Sequence, residues 1–131
     1  MKIKSAIFRK IHLIISIVIV IPAAFIYGFK PELILNISLV SVDENNFNKG
    51  VMGLYLGFSI LWLLGIFKKG YLKTAQISNI IFMMGLAFGR ILSMLTDGLP
   101  TILYIIGAFG ELVLGCYGLW VFKWQQFSKK A

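Results

Sequence analysis

Four long apolar stretches constrain this chain more than any other feature. They lie at about Ile11 to Phe29, Gly50 to Phe67, Ala75 to Met94 and Ile102 to Phe122. Crossing about 30 Å of hydrocarbon as a helix takes roughly 20 residues, and each stretch is close to that length. A soluble domain is ruled out on the same grounds, because only 14% of the residues are charged while 59% are hydrophobic. That leaves too little polar surface to cover a globule, and the mean hydropathy of +0.88 agrees. The expected fold is all-α, with residues 1–131 forming one transmembrane domain, an antiparallel bundle of four helices with an outer loop at 30–49.

The first stretch, "IHLIISIVIVIPAAFIYGF", follows basic residues and has the look of a secretory signal. Its apolar run continues past Pro22 and two alanines to Phe29, so it is read as a retained span that Pro22 can kink.

Charge then orients the bundle. Lys2, Lys4, Arg9 and Lys10 precede the first span, Lys68, Lys69 and Lys73 join the second to the third, and Lys123, Lys129 and Lys130 follow the fourth. The remaining connections hold Lys30, Glu32, Asp43, Glu44 and Lys49 in one case and Asp97 in the other. The positive-inside rule places both termini and the middle connection in the cytoplasm. The net charge of +8 therefore reflects topology. Its lysines sit beside the headgroups of membrane lipids and do not form a nucleic-acid-binding stripe. Trp120, Trp124 and Phe127, with Tyr71, fit an aromatic belt at that interface.

The first connection, "KPELILNISLVSVDENNFNK", is long and semi-apolar. Pro31 and Glu32 can open a short interfacial helix there, and "DENN" supplies N-cap candidates for the second span. Other isolated signals receive an ordinary reading. His12 stands alone near the inner end of the first span and is read as interfacial. Cys116 is the single cysteine, so no intrachain disulfide can form. "NIS" at Asn36 matches a glycosylation acceptor by pattern only. Met52, Met83, Met84 and Met94 are read as packing residues. No phosphate-binding loop, nucleophile elbow, zinc-protease motif or dinucleotide turn is present, and no metal or cofactor is implied.

Two charges remain at membrane depth, Arg90 in the third stretch and Glu111 in the fourth. Each is unfavourable there by about 2.5 to 3.5 kcal/mol, so such groups face the bundle interior and find partners. Arg90 lies only roughly 7 Å above the mid-depth position of Glu111 at 1.5 Å per residue, within reach of a long side chain. An Arg90–Glu111 contact is therefore expected. Helical spacing puts Asn79 on the face of Arg90 and Tyr104 on the side of Glu111, while Tyr55 of the second span and Asp97 in the turn "TDGLP" complete a polar pocket opening outward. Gly53, Gly57, Gly89, Gly107 and Gly115 are expected to permit close helix packing.

The order "NKGVMGLYLG", then "GLAFGRILSMLTDGLP", then a glutamate in the middle of the last span resembles the small four-helix bacterial membrane proteins grouped as domain of unknown function 4345. The resemblance covers nearly the whole chain, and its most specific part is Gly89-Arg90 followed by Asp97-Gly98. Gly53, Tyr55 and Glu111 also match positions of that type. DoxX-like four-helix proteins are similar in architecture alone. The resemblance implies a bacterial inner membrane and assigns no activity.

Two functions fit these residues. In the first, Arg90, Glu111, Asp97, Tyr55, Tyr104 and Asn79 bind or pass a small amphipathic, lipid-like molecule. In the second, the chain is a non-catalytic accessory subunit that packs its glycine faces on a membrane protein partner or on a second copy of itself. An intramembrane enzyme would need a demonstrated turnover lost in Glu111→Gln, and the sequence names no reaction. The orientation is directly testable. A reporter that is active only outside the cytoplasm should be active when fused after Asn46 and silent when fused after Lys69, and the opposite pattern overturns the charge reading.

Overall fold

The computed structural model describes residues 6–33 and 38–130. Among the described residues it is all-α, with four long helices, α1 (Ile11–Phe29), α2 (Val42–Phe67), α3 (Leu72–Thr96) and α4 (Ile102–Lys130), helical residues at 6–8, and 3-10 turns at Pro31–Leu33 and Lys69–Tyr71. All four are long and apolar enough to cross a membrane. Only 17–33% of each span is buried inside the bundle, so most of its apolar surface is left for lipid. The acceptor at Asn36 and the lysines at 2 and 4 lie outside the described residues, as do the side chains of Lys129 and Lys130.

The helices are longer than the apolar stretches. Helix α2 starts at Val42, not Gly50, because Ser41 caps it: its hydroxyl accepts from the Glu44 backbone N–H, and the Glu44 carboxylate accepts from the Ser41 N–H. This reciprocal capping box, with Asp43 and Glu44 in the first turn, stabilises a polar helix start that hydropathy alone reads as loop. "DENN" therefore lies within the helix, and residues 42–49 of the expected outer loop are helical. Helix α3 likewise begins at Leu72, and α4 continues past Phe122 on good helix formers. Helix α1 runs through Pro22 without a break.

The bundle is two helical hairpins laid side by side. Helix α1 packs along α2 and α3 along α4, while α1 meets α3 and α4 only sparsely. An aromatic ladder ties the hairpins together through α2 and α3. Tyr27 meets Tyr55 edge-on at 5.6 Å, Tyr55 meets Phe82 at 5.1 Å, and Phe82 meets Trp62 at 5.2 Å. Such pairs add about 0.5–1.5 kcal/mol each beyond the area they bury. Trp62 is fully buried, and its indole N–H donates to the Ser78 hydroxyl at 3.2 Å.

Close approaches occur at particular glycines. A Cβ placed on Gly28 or Gly115 would run into Met52 or Met84, and one on Gly65 would overlap the Cβ of Ala75. The methionines therefore fill helix crossings. At Gly53, Gly57, Gly89 and Gly107 an added Cβ meets nothing within 4 Å. Within the bundle these four are not packing glycines. Gly53, Gly57 and Gly89 are exposed, and Gly107 borders a cavity.

His12 also departs from the interfacial reading. It is fully buried, its ring 6.0 Å from that of Tyr117 and its Cδ2 3.1 Å from where a Cβ on Gly118 would stand. The preceding segment explains this. Phe8 lies edge-on to Tyr117, Trp120 and Trp124 at 5.5–6.0 Å, which draws the start of α1 in against the lower half of α4.

The contrast among glycines predicts stability. Gly65→Val, which presses a rigid side chain into Ala75, should destabilise by about 1–3 kcal/mol, whereas Gly57→Val should be close to neutral. Thermal unfolding in mild detergent measures both. A neutral Gly65→Val refutes the close approach of α2 to α3.

Candidate functional site

The site lies where the hairpins fail to close on one another. Between α1, α3 and α4 there is a cavity of about 420 Å³, reached by Tyr55 from α2. Its size follows from its walls. Gly107 and Gly110 of α4 contribute no side chain, Ala23 of α1 contributes only a methyl, and Pro22 is compact. Ile19, Ile26, Met83, Leu86 and Leu114 make it mainly apolar.

Arg90 and Glu111 meet in its wall. The Arg90 Nε donates to both carboxylate oxygens of Glu111, at 2.9 and 3.1 Å. The Nη2 reaches the hydroxyl of Tyr27 at 3.4 Å, and the guanidinium lies 5.4 Å from the centre of the Tyr104 ring. One side chain on α3 thus touches α1 and α4 at once. The arrangement suits a cation in apolar surroundings, since it combines charge-assisted hydrogen bonds with the negative face of an aromatic ring. With side chains 21% and 14% exposed, Arg90 and Glu111 remain half-buried beside the cavity.

The candidate residues from the sequence divide into two groups. Arg90, Glu111, Tyr55 and Tyr104 line the cavity. Asp97 does not, because it caps the end of α3, exposed, and accepts from Ser93 at 2.9 Å. The i, i+4 spacing to Ser93 makes that local bond available without reaching Arg90. Asn79 is fully buried nearer the other end of α3, among the residues below the cavity and not in its lining.

Sequence reasoning missed Tyr27. It lies in an apolar run beside the signal-like "PAA", and nothing local marks it as an arginine partner. Its register could be recovered only by counting α1 and α3 as parallel helices. It also missed that His12 and Ser16 are buried in a second polar group with Asn79. The ring nitrogens of His12, the hydroxyl of Ser16 and both amide atoms of Asn79 are buried without a partner among the described residues. His12 and Ser16 share a face of α1 at i, i+4, and Asn79 adjoins Ile80, which with His12 flanks Gly118. Buried polar atoms of this kind are generally satisfied by ordered water. Among the described residues no three His, Cys, Asp or Glu groups gather as a metal site.

The Arg90–Glu111 geometry predicts non-additive stability. Arg90→Met and Glu111→Leu should each destabilise by about 1–3 kcal/mol, by stranding a partner, and the double variant should recover most of that loss. Additive losses in detergent unfolding would mean that the two side chains act independently.

A family model described as a domain of unknown function, DUF4345, matches residues 8–122. No curated protein and no solved structure matches the chain.

Proposed function

The chain belongs to the DUF4345 family, and we propose that it binds a small amphipathic molecule, of lipid, quinone or sterol-like character, in the cavity around Arg90 and Glu111. One observation carries the reading. The Arg90 guanidinium lines an apolar cavity while it is held through Nε by Glu111 and through Nη2 by Tyr27. An apolar chamber with one convergent polar corner is the ordinary form of a site for a small amphipathic ligand. In this role Arg90 and Glu111 form an ion pair, the remaining guanidinium donors take a carbonyl or acidic oxygen of the ligand, and the aliphatic walls take its tail. Tyr27, Tyr55 and Tyr104 set the polar rim. The ligand enters from the membrane, and passage across it is an extension of the same site. The bacterial inner membrane is the setting proposed.

A substitution that fills the cavity provides the test. Gly107 borders it and has room for a side chain, so Gly107→Leu should block the ligand while the bundle stays folded. Arg90→Lys keeps a cation against Glu111 but loses the planar fork, and should weaken retention by about tenfold or more. Native mass spectrometry of gently extracted protein, with chemical identification of what stays bound, reads both variants. A wild type without adduct, or a Gly107→Leu variant that keeps it undiminished, overturns the reading.

The exposed glycines favour one alternative. Gly53 and Gly57 open a smooth strip on the outer side of α2, with no neighbour in the chain within 4 Å of an added Cβ. An accessory subunit would lay that strip against a partner helix. Gly57→Val should then abolish stoichiometric co-purification of a membrane partner while leaving detergent stability unchanged.

A further inference from the structure

At the opposite end of the bundle from Arg90, a larger cavity of about 720 Å³ opens where three segments converge. The segment before α1 brings Arg9 and Lys10, the α2–α3 elbow and the first turn of α3 bring Lys69 and Lys73, and the last turns of α4 bring Gln125 and Gln126. No Asp or Glu side chain is among its described lining residues. The nearest acids along the chain are no help either, since all five are Glu32, Asp43, Glu44, Asp97 and Glu111. They lie in the other two connections, at the helix ends beside those connections, or in the middle of α4.

Lysines near a membrane surface ordinarily fan outward from one another, because like charges repel. Here the fold holds four cations around one concavity. Gln76 donates from α3 to the backbone carbonyl of Arg9 at 2.9 Å, which pins the segment before α1 to the third helix. Lys10 donates to the carbonyl of Ile66 in the last turn of α2, where a cation also complements the helix end. The edge-on packing of Phe8 on Tyr117, Trp120 and Trp124 closes the third side.

The hydrogen-bond inventory is as one-sided as the charge. The amide nitrogen of Gln125 is buried in the cavity wall without an acceptor among the described residues. Lysine and arginine can only donate. A cavity rich in donors, positive and with no Asp or Glu side chain among its described lining residues calls for an anion with several acceptor oxygens. Trp120 and Trp124, both exposed on the same stretch of α4, mark the headgroup level of the membrane beside it.

We propose that this cavity binds a phosphate group, presented at the membrane surface by an anionic phospholipid headgroup. The chemistry of a soluble phosphate is the same, so the experiment separates the two sources. Lys69 and Lys73 are exposed, and replacing them leaves the backbone pins at Gln76 and Lys10 intact. The full chain is offered equal amounts of phosphatidylglycerol and phosphatidylcholine with identical acyl chains, and the retained lipid is counted by native mass spectrometry. Wild type should retain phosphatidylglycerol preferentially. The double variant Lys69→Gln/Lys73→Gln should lose that preference by on the order of tenfold, from roughly 1 kcal/mol for each lysine at the surface. Lys68→Gln/Lys123→Gln removes as much charge from the same end but outside the cavity, and should leave the preference within about twofold. In a second arm, the chain in phosphatidylcholine nanodiscs is titrated with inorganic phosphate by calorimetry. Phosphate heat that vanishes in Lys69→Gln/Lys73→Gln supports the site with a soluble phosphate as its source. Lipid preference without phosphate heat supports the headgroup. Neither response in wild type, or an equal loss in Lys68→Gln/Lys123→Gln, overturns the proposal.

Discussion

A guanidinium group inside the apolar half of a membrane helix has to be accommodated before the surrounding helices can pack. Arg90 carries a charge that hydrocarbon cannot solvate, and its α3 backbone already uses its own hydrogen bonds within the helix. The protein solves this with Glu111 on α4, Tyr27 on α1 and the ring of Tyr104. Those three contacts join a side chain of one hairpin to both hairpins. The relative placement of α1 and α4, which otherwise touch little, is tied to this one residue at that depth. Replacing the charged pair with apolar residues of similar volume would fill the same space at no great loss in stability. Retaining ions there has a rationale in what they offer a bound molecule, and that is the reasoning behind the proposed ligand.

The gap between the hairpins has the same origin. Where bulky groups line a crossing, α2 and α3 close on the aromatic ladder from Tyr27 through Trp62. Where Gly107 and Gly110 face Pro22 and Ala23, no side chain is large enough to fill the space, and the cavity remains. Close packing is therefore a local property of this bundle. Glycine has two different consequences in it: at Gly28, Gly65 and Gly115 it lets helices touch, and at Gly107 it leaves the space between them unfilled.

Much of this was legible in the sequence, because hydrocarbon imposes simple rules. Length and composition identify four spans, and the rarity of charge at depth singles out Arg90 and Glu111 as partners. The helix ends were not legible by the same means. Hydropathy stops where the apolar run stops, whereas α2 begins at Val42 on the strength of a capping box, a short polar signal that the "DENN" reading displaced by several residues. The site's third partner was hidden for another reason. Tyr27 is conspicuous only once α1 and α3 are set in register, which depends on contacts between residues far apart in the chain. Glycine spacing was the least reliable guide, since small residues every fourth position look alike whether they face a neighbour or open space. Only the neighbour's side chain, such as Met84 against Gly115, decides between the two.

The two ends of the molecule are chemically distinct, and that asymmetry bears on how the proposed sites relate. All five Asp and Glu side chains lie in the middle of α4, in the other two connections or beside them, and among the described residues none lines the cavity at the end of the α2–α3 elbow. A cation among carboxylates can be satisfied within the chain, as Arg90 is by Glu111. Cations gathered with no Asp or Glu side chain beside them among the described residues, as Lys69 and Lys73 are, can also draw counter-charge from outside the protein. The concavity of that end is a separate matter from its charge, because orientation during membrane insertion responds to the number of lysines near helix ends and not to the shape they enclose. Between the two cavities lie His12, Ser16 and Asn79, fully buried polar residues in the part of the bundle that joins one to the other. Their presence makes the interior polar along a line from the basic cavity toward Glu111, a feature that packing alone does not require.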